Sequence, residues 1–222
     1  MKAFHHKAMF FNVDGCAHRS GDPRKDKYGF EKALMHFCRS GADTLFLLDP
    51  RVTAAKIKNI EAKVQEAVPG AKVIFHPTIA TPGESEDNSM QCMGGMIIIM
   101  SPEWAELKYR SRVERPGFGL VTRLEFSTGK NENFSTGEHK IRIIGAYWPP
   151  RSGKTGKGAL EARLRSYLSS IGWKGSPHDY LDYVVGKWVS AGIDLGQFVI
   201  LGGDFNAVMD KAGLSKQPYI RD

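Results

Sequence analysis

A chain of 222 residues with 41% hydrophobic content can build one buried core, and no run in it approaches the roughly 18 apolar residues that a membrane span needs. Lys and Arg (31) outnumber Asp and Glu (24) for a formal net charge of +7, which suits a polyanionic partner bound through counterion release. Three cysteines without a CxxC pair indicate neither a disulfide framework nor a zinc ribbon, so reduced, partly buried thiols are expected.

The N-terminal stretch MKAFHHKAMFFNVDG enters a strand with no signal-peptide apolar region, so an intracellular location, nuclear or cytoplasmic, is expected. Ala8 to Phe11 reads as that first strand, followed by Asn12 and an Asp14-Gly15 turn. A basic connection then leads to a helix over Tyr28 to Arg39, where Phe30, Leu34, Phe37 and Cys38 recur at helical spacing. Thr44 to Leu48 is a second strand that delivers Asp49, and Pro50 biases Asp49 toward an extended conformation. Thr53 is expected to cap a helix with Ile57, Ile60 and Val64 on one stripe. Ala71 to Phe75 is a short strand, and His76 to Asn88 an irregular loop.

Met93 to Met100 is apolar enough for a buried strand. Glu103 to Pro116 fits a short helix or a strand, with Lys108, Arg110, Arg112 and Arg115 interleaved with Trp104 and Tyr109. That mixture suits phosphate contact and base stacking, and equally a solvated edge strand with protective charge. Leu120 to Phe126 and Lys140 to Tyr147 read as a strand pair. Gly153-Lys154-Thr155 looks like the end of a Walker A loop, but Trp148 stands where that loop needs its first glycine, so an ATPase is discounted. Two helices follow, Lys157 to Ile171 and Pro177 to Ala191. The second has Ser176 as N-cap, Pro177 at its first position and Asp179 in its first turn. Phe198 to Leu201 reads as a buried strand that stops at Gly202-Gly203 and presents Asp204, Phe205 and Asn206 at a sheet end.

Four strand ends therefore carry polar groups: FFNVDG from Phe10, LFLLDP from Leu45, IIGAYWPP from Ile143 and GGDFN from Gly202. In this order they resemble the endonuclease/exonuclease/phosphatase superfamily, and within it the apurinic endonucleases and the endonuclease domains of non-LTR retrotransposons. The resemblance implies Mg²⁺ (or Mn²⁺) held by Asp49 with Asp14 nearby. Most members carry glutamate where Asp49 stands, and a side chain one methylene shorter puts metal affinity in doubt. The resemblance also implies that Asp204 orients an attacking water, that Asn206 and Asn12 fix the phosphate, and that Tyr147 stabilises the developing negative charge. A core tyrosine ending its strand is the competing reading of Tyr147. Arg151, Lys154 and Lys157 are expected to form a basic loop over the substrate channel, with Arg110 and Arg112 as further nucleic-acid contacts.

The expected fold is α/β: two sheets packed as a sandwich and flanked by helices, a four-layer α-β-β-α arrangement incomplete at its C-terminal end. One domain is expected over residues 1–222, truncated after GDFN. The resembled family continues to a final aspartate-histidine pair, and none of the seven histidines here lies beyond Asn206. The chain is thus expected to be a piece of a larger polypeptide carrying a reverse transcriptase, impaired as an isolated nuclease of nucleic acid, with DNA as its partner and no membrane. Two alternatives stand beside that reading: a catalytically inert nucleic-acid-binding remnant, and a phosphoesterase of lipid or inositol phosphates.

Overall fold

The computed structural model describes residues 5–13, 29–52, 57–77, 94–115, 117–128, 139–149 and 160–206. In chain order the elements are β1 (Ala8–Asn12), α1 (Gly29–Ser40), β2 (Thr44–Leu48), α2 (Ile57–Ala67), β3 (Lys72–His76), β4 (Met96–Met100), α3 (Pro102–Ala105), β5 (Lys108–Val113), β6 (Val121–Thr128), β7 (His139–Tyr147), α4 (Leu160–Ser170), α5 (Pro177–Asp194) and β8 (Phe198–Asp204). They form two four-stranded mixed sheets, ordered β1-β2-β4-β3 and β5-β6-β7-β8, packed against each other with flanking helices. The ambiguous stretch after Met100 divides into both forms. Pro102 starts a single helical turn, and the alternating Lys108–Val113 then pairs antiparallel with β6.

The continuous apolar runs of β2 and β4 follow from burial on both faces. Alternate residues divide between two cores. Phe46, Leu48, Met96, Ile98 and Met100 face the second sheet, where they meet Leu124, Phe126, Ile141 and Ile143. Leu45, Leu47, Ile97 and Ile99 face the other way, onto Ala33, Leu34 and Phe37 of α1 and Ile60 and Val64 of α2. Each such fully buried side chain contributes about 1.5–3 kcal/mol. On the far side of the second sheet, Leu160, Leu164 and Leu168 of α4 and Leu181, Val184 and Val185 of α5 complete the layering. The start of α5 is fixed by a capping box, in which Ser176 Oγ accepts from Asp179 N and Asp179 Oδ2 accepts from Ser176 N.

Three expectations change. Cys38 is exposed rather than partly buried, because the buried stripe of α1 runs through Phe30, Ala33, Leu34 and Phe37 and turns Cys38 away from it. Phe198 to Leu201 is not a buried strand: Phe198 is 68% and Leu201 43% exposed, since β8 stands at the end of its sheet, where β7 is its one ladder neighbour among the described residues. Asp49 is not extended but has φ 50°, for a reason that belongs to the site below. The Thr53 cap, Asp14 and Gly15, Cys16, Cys92 and the 151–159 loop lie outside the described residues.

Two glycines let the sheets approach. A side-chain carbon at Gly145 of β7 would meet Met96 Sδ at 2.9 Å and the Phe46 ring closer still, and one at Gly202 of β8 would run into the Phe10 ring of β1. Gly145→Ala is expected to lower unfolding free energy by about 1–3 kcal/mol through overpacking. Gly186→Ala, at an exposed site of α5 with open space around it, should be neutral or stabilising by up to about 1 kcal/mol. Urea denaturation of both variants measures the contrast, and equal effects would refute the close-approach argument.

Candidate active site

The site is built by two parallel strand pairs. β1 pairs parallel with β2, β7 pairs parallel with β8, and Phe10 against Gly202 brings β1 alongside β8. All four strands therefore end at the same end of the sandwich, where they present Asn12, Asp49, Tyr147 and Asp204, with Tyr147 directly opposite Asp204 in the β7–β8 register. Two hydrogen bonds cross between the sheets: Asn12 Nδ2 donates to Asp204 Oδ2 at 2.7 Å, and Tyr147 Oη donates to Asp49 Oδ2 at 3.3 Å.

The Asp204 carboxylate is held from two sides, by Asn12 and by Asn206 N, which donates to Oδ1 at 3.0 Å. Asn206 has φ 42°, a left-handed conformation that asparagine tolerates, and its Nδ2 donates to Trp148 O at 2.6 Å. Trp148 N donates to Asp204 O at 2.9 Å, and the Trp148 and Phe205 rings lie 4.9 Å apart. His178 Nε2 donates to Pro149 O at 3.0 Å and so steadies this same turn. Asp204 and Asn206 are thereby fixed relative to the end of β7.

Asp49 is in a different environment. It is 1% exposed, its Oδ1 accepts from Gly94 N at 2.7 Å, and its Oδ2 accepts from Arg51 Nε at 2.8 Å. Arg51 Nη2 lies 2.5 Å from the same oxygen. These bonds explain the left-handed backbone at Asp49 and at Arg51 (φ 52°): turning the chain there lets Arg51 fold back onto the carboxylate. Such a conformation costs a non-glycine residue about 1–3 kcal/mol and persists when surrounding bonds over-determine it. The extended bias imposed by Pro50 is outweighed. Burial, followed by the Asp49 charge, raises the Tyr147 phenol well above its ordinary pKa, so it remains a proton donor at neutral pH.

A divalent ion at Asp49 does not fit this arrangement. Mg²⁺ needs near-octahedral oxygen ligands, and here a guanidinium, a peptide N–H and a phenol already surround the carboxylate. Among the described residues no group of three or more His, Cys, Asp or Glu could hold a metal ion, and Asp14 lies outside them.

Of the residues expected from sequence, Asn12, Asp49, Tyr147, Asp204 and Asn206 come together. Arg110 and Arg112 do not. They lie on the outer face of the second sheet, where Arg110 is level with Glu125 and Arg142, five residues before Tyr147 and so on the order of 16 Å away along the strand. Arg151, Lys154 and Lys157 fall outside the described residues. Sequence reasoning missed Arg51, whose only signal is its place two residues after Asp49. It also missed Glu114, the one acid in a basic run. Glu114 is 2% exposed, accepts from Leu120 N (3.1 Å) and Val121 N (3.0 Å), and so orders the stretch whose Leu120 O accepts from Tyr147 N at 2.7 Å. Burial raises its pKa from 4.5 to about 7.

No protein-family model and no curated protein sequence matches the chain. Solved structures do align with it at low identity. An AP endonuclease from Archaeoglobus fulgidus is 14% identical with a TM-score of 0.47, over 93% of this chain and 60% of that one. The human Nocturnin catalytic domain is 13% identical with a TM-score of 0.43, over 96% and 76%. TDP2 from C. elegans is 14% identical with a TM-score of 0.41, over 96% and 50%. The chain thus spans between half and three quarters of the length of these structures.

Arg51→Met is expected to cost about 3–5 kcal/mol at neutral pH, because it leaves the Asp49 carboxylate buried without its cation. It should also create a Mn²⁺-dependent rise in melting temperature that the unsubstituted chain lacks. An equal rise in both proteins would show that Arg51 does not compete with metal. Because the folded-state pKa of Glu114 lies above its ordinary value, its contribution to stability is full below pH 4.5 and is lost as pH rises through about 7. The loss is on the order of 3 kcal/mol. Urea denaturation at pH 5 and pH 8 should show it, and Glu114→Gln should reduce the difference by that amount.

Proposed function

We propose that the strand-end site is a phosphoesterase site for the phosphodiester backbone of nucleic acid. The observation that carries this reading is the convergence of Asp204, Asn12, Asn206 and Tyr147 from both sheets onto one end of the sandwich. In this reading the half-buried Asp204 orients the attacking water, held for that purpose by Asn12 and by the peptide N–H of Asn206. Tyr147, whose single hydroxyl proton rests on Asp49 Oδ2 in the free chain, would turn it toward the charge that develops on phosphate, and Asn206 helps to fix the phosphate. The net charge of +7 favours nucleic acid over a small phosphate ester. The NVDG and GDFN stretches favour a retrotransposon-type or apurinic-type nicking endonuclease that works within a larger polypeptide beside a reverse transcriptase.

One observation favours a second reading, a nucleic-acid-binding protein without turnover. The buried Asp49–Arg51 pair occupies the place where the resembled nucleases would hold their metal. In that case the chain engages phosphate through its exposed cations and leaves it intact. Among the described residues no helix is long and apolar enough to cross a membrane.

Nicking of supercoiled plasmid in Mg²⁺ or Mn²⁺ separates the readings. The nuclease reading expects relaxation that Asp204→Ala abolishes. Plasmid binding without relaxation in either metal supports the binding reading, and relaxation that survives in Asp204→Ala removes Asp204 from the chemistry.

A further inference from the structure

The outer face of β5, β6 and β7 carries a feature that the strand-end site does not use. Three cross-strand rows run over it: Lys108–Ser127–Lys140, Arg110–Glu125–Arg142 and Arg112–Arg123–Ile144. With the C-terminal end of α5 and the turn that follows it as its far wall, through Ala191, Leu195 and Gln197, this face forms a groove of about 540 Å³. Six cations line the groove against one acid.

That acid is neutralised from the floor. Glu125 Oε1 accepts from Arg142 Nη2 at 2.7 Å and Nε at 3.1 Å, and Arg123 Nε lies 3.4 Å from Oε2. The bonds to Arg142 and the charges of Arg123 and Arg142 together outweigh the effect of burial and hold Glu125 below its ordinary pKa. Arg142 is pinned further by donating to Trp188 O, and Arg123 lies 5.1 Å over the Trp188 ring. Arg123 and Arg142 of the floor are thus already engaged with Glu125. Lys108, Arg110 and Arg112 differ from them, being exposed and making no ion pair among the described residues.

These three stand on alternate positions of one strand, about 6.6 Å apart. That is close to the separation of successive phosphates along one nucleic-acid strand. A regular row of cations beside a concave wall suits a linear polyanion better than a flat layer of lipid headgroups, which a groove cannot follow. Protective charge on an edge strand accounts for lysines and arginines on β5. It does not account for Lys140, which carries the same sign onto β7 in the row of Lys108.

We propose that this groove is a second nucleic-acid-binding surface, which lays a single strand along β5 and anchors it through Lys108, Arg110 and Arg112, on the outer face of the second sheet and away from the strand-end site. It holds the strand through its backbone and is tolerant of sequence. Its occupancy does not depend on whether the strand-end site turns over.

The test is fluorescence anisotropy of the full chain with a labelled oligothymidylate of about 20 nucleotides, in NaCl from about 50 to 200 mM. The variant Lys108→Gln/Arg110→Gln/Arg112→Gln should lose about tenfold or more in affinity at low salt, and its slope of log affinity against log salt should fall by about 2. Arg110→Lys/Arg112→Lys should retain most of the affinity. Lys58→Gln, at an exposed position of α2 outside both surfaces, should bind like the unsubstituted chain. Anisotropy is read without added metal, so a failed nicking assay and a failed groove are read separately. Ultraviolet crosslinking of the unsubstituted chain to a 4-thiothymidine oligonucleotide needs no folded variant and should label peptides spanning residues 108–126. Unchanged binding in the Gln variant, or crosslinks confined to residues 151–157, would overturn the proposal. So would binding to phosphatidylserine vesicles in place of the oligonucleotide with the same loss in the variant.

Discussion

The contact on which this structure depends is the bare approach of β7 and β8 to the first sheet at Gly145 and Gly202. With no side chain at either position, Phe46 and Met96 lie against the β7 backbone, and the Phe10 ring lies against β8. β1 and β8 are the end strands of their sheets, and this approach sets them side by side with their carboxyl ends together. The Asn12–Asp204 and Tyr147–Asp49 hydrogen bonds, which span the two sheets, exist only because the sheets are this close. Packing at two glycines thus sets the geometry of polar groups several residues further along the same strands.

Much of this was legible in the sequence. The runs TLFLL and MIIIM cannot alternate, so burial on both faces was implied. The Ser176, Pro177 and Asp179 combination states a helix start without ambiguity, because each residue satisfies or removes a donor at that terminus. Asn12, Tyr147 and Asp204 were legible as strand-end residues because each closes an apolar run, Asp204 after Gly202-Gly203. Legibility failed where long-range partners decide. Nothing local in LLDPRVT says that Arg51 turns back onto Asp49 through two left-handed residues, since that turn is stabilised by Gly94, 45 positions away. Pro50 pointed the other way, and local preference lost to three hydrogen bonds on a buried carboxylate. The place of the β5 arginines is decided in the same way: the register that puts them on the outer face, away from the strand-end site, is a property of the whole sheet.

The two carboxylates at the strand ends follow opposite logic. Asp49 is withdrawn from solvent and paired, so that the cost of desolvating its charge is offset by the guanidinium 2.5 Å away, and it serves the fold as a lock between β2, the Gly94 stretch and β7. Asp204 is half-buried and held by one amide and one peptide N–H, with no cation on it among the described residues. A group that is to meet an incoming phosphate or water must be fixed in direction without being used up. Of the two, Asp204 meets that condition.

The positive charge of the chain follows the same division. Arg51, Arg123 and Arg142 are spent internally, the first against Asp49 and the other two together against Glu125. Lys108, Arg110 and Arg112 face water, where a pair would contribute little and an ordered polyanion can contribute through released counterions. A net charge of +7 says only that cations are in excess. Their burial says which of them hold the fold together and which face water.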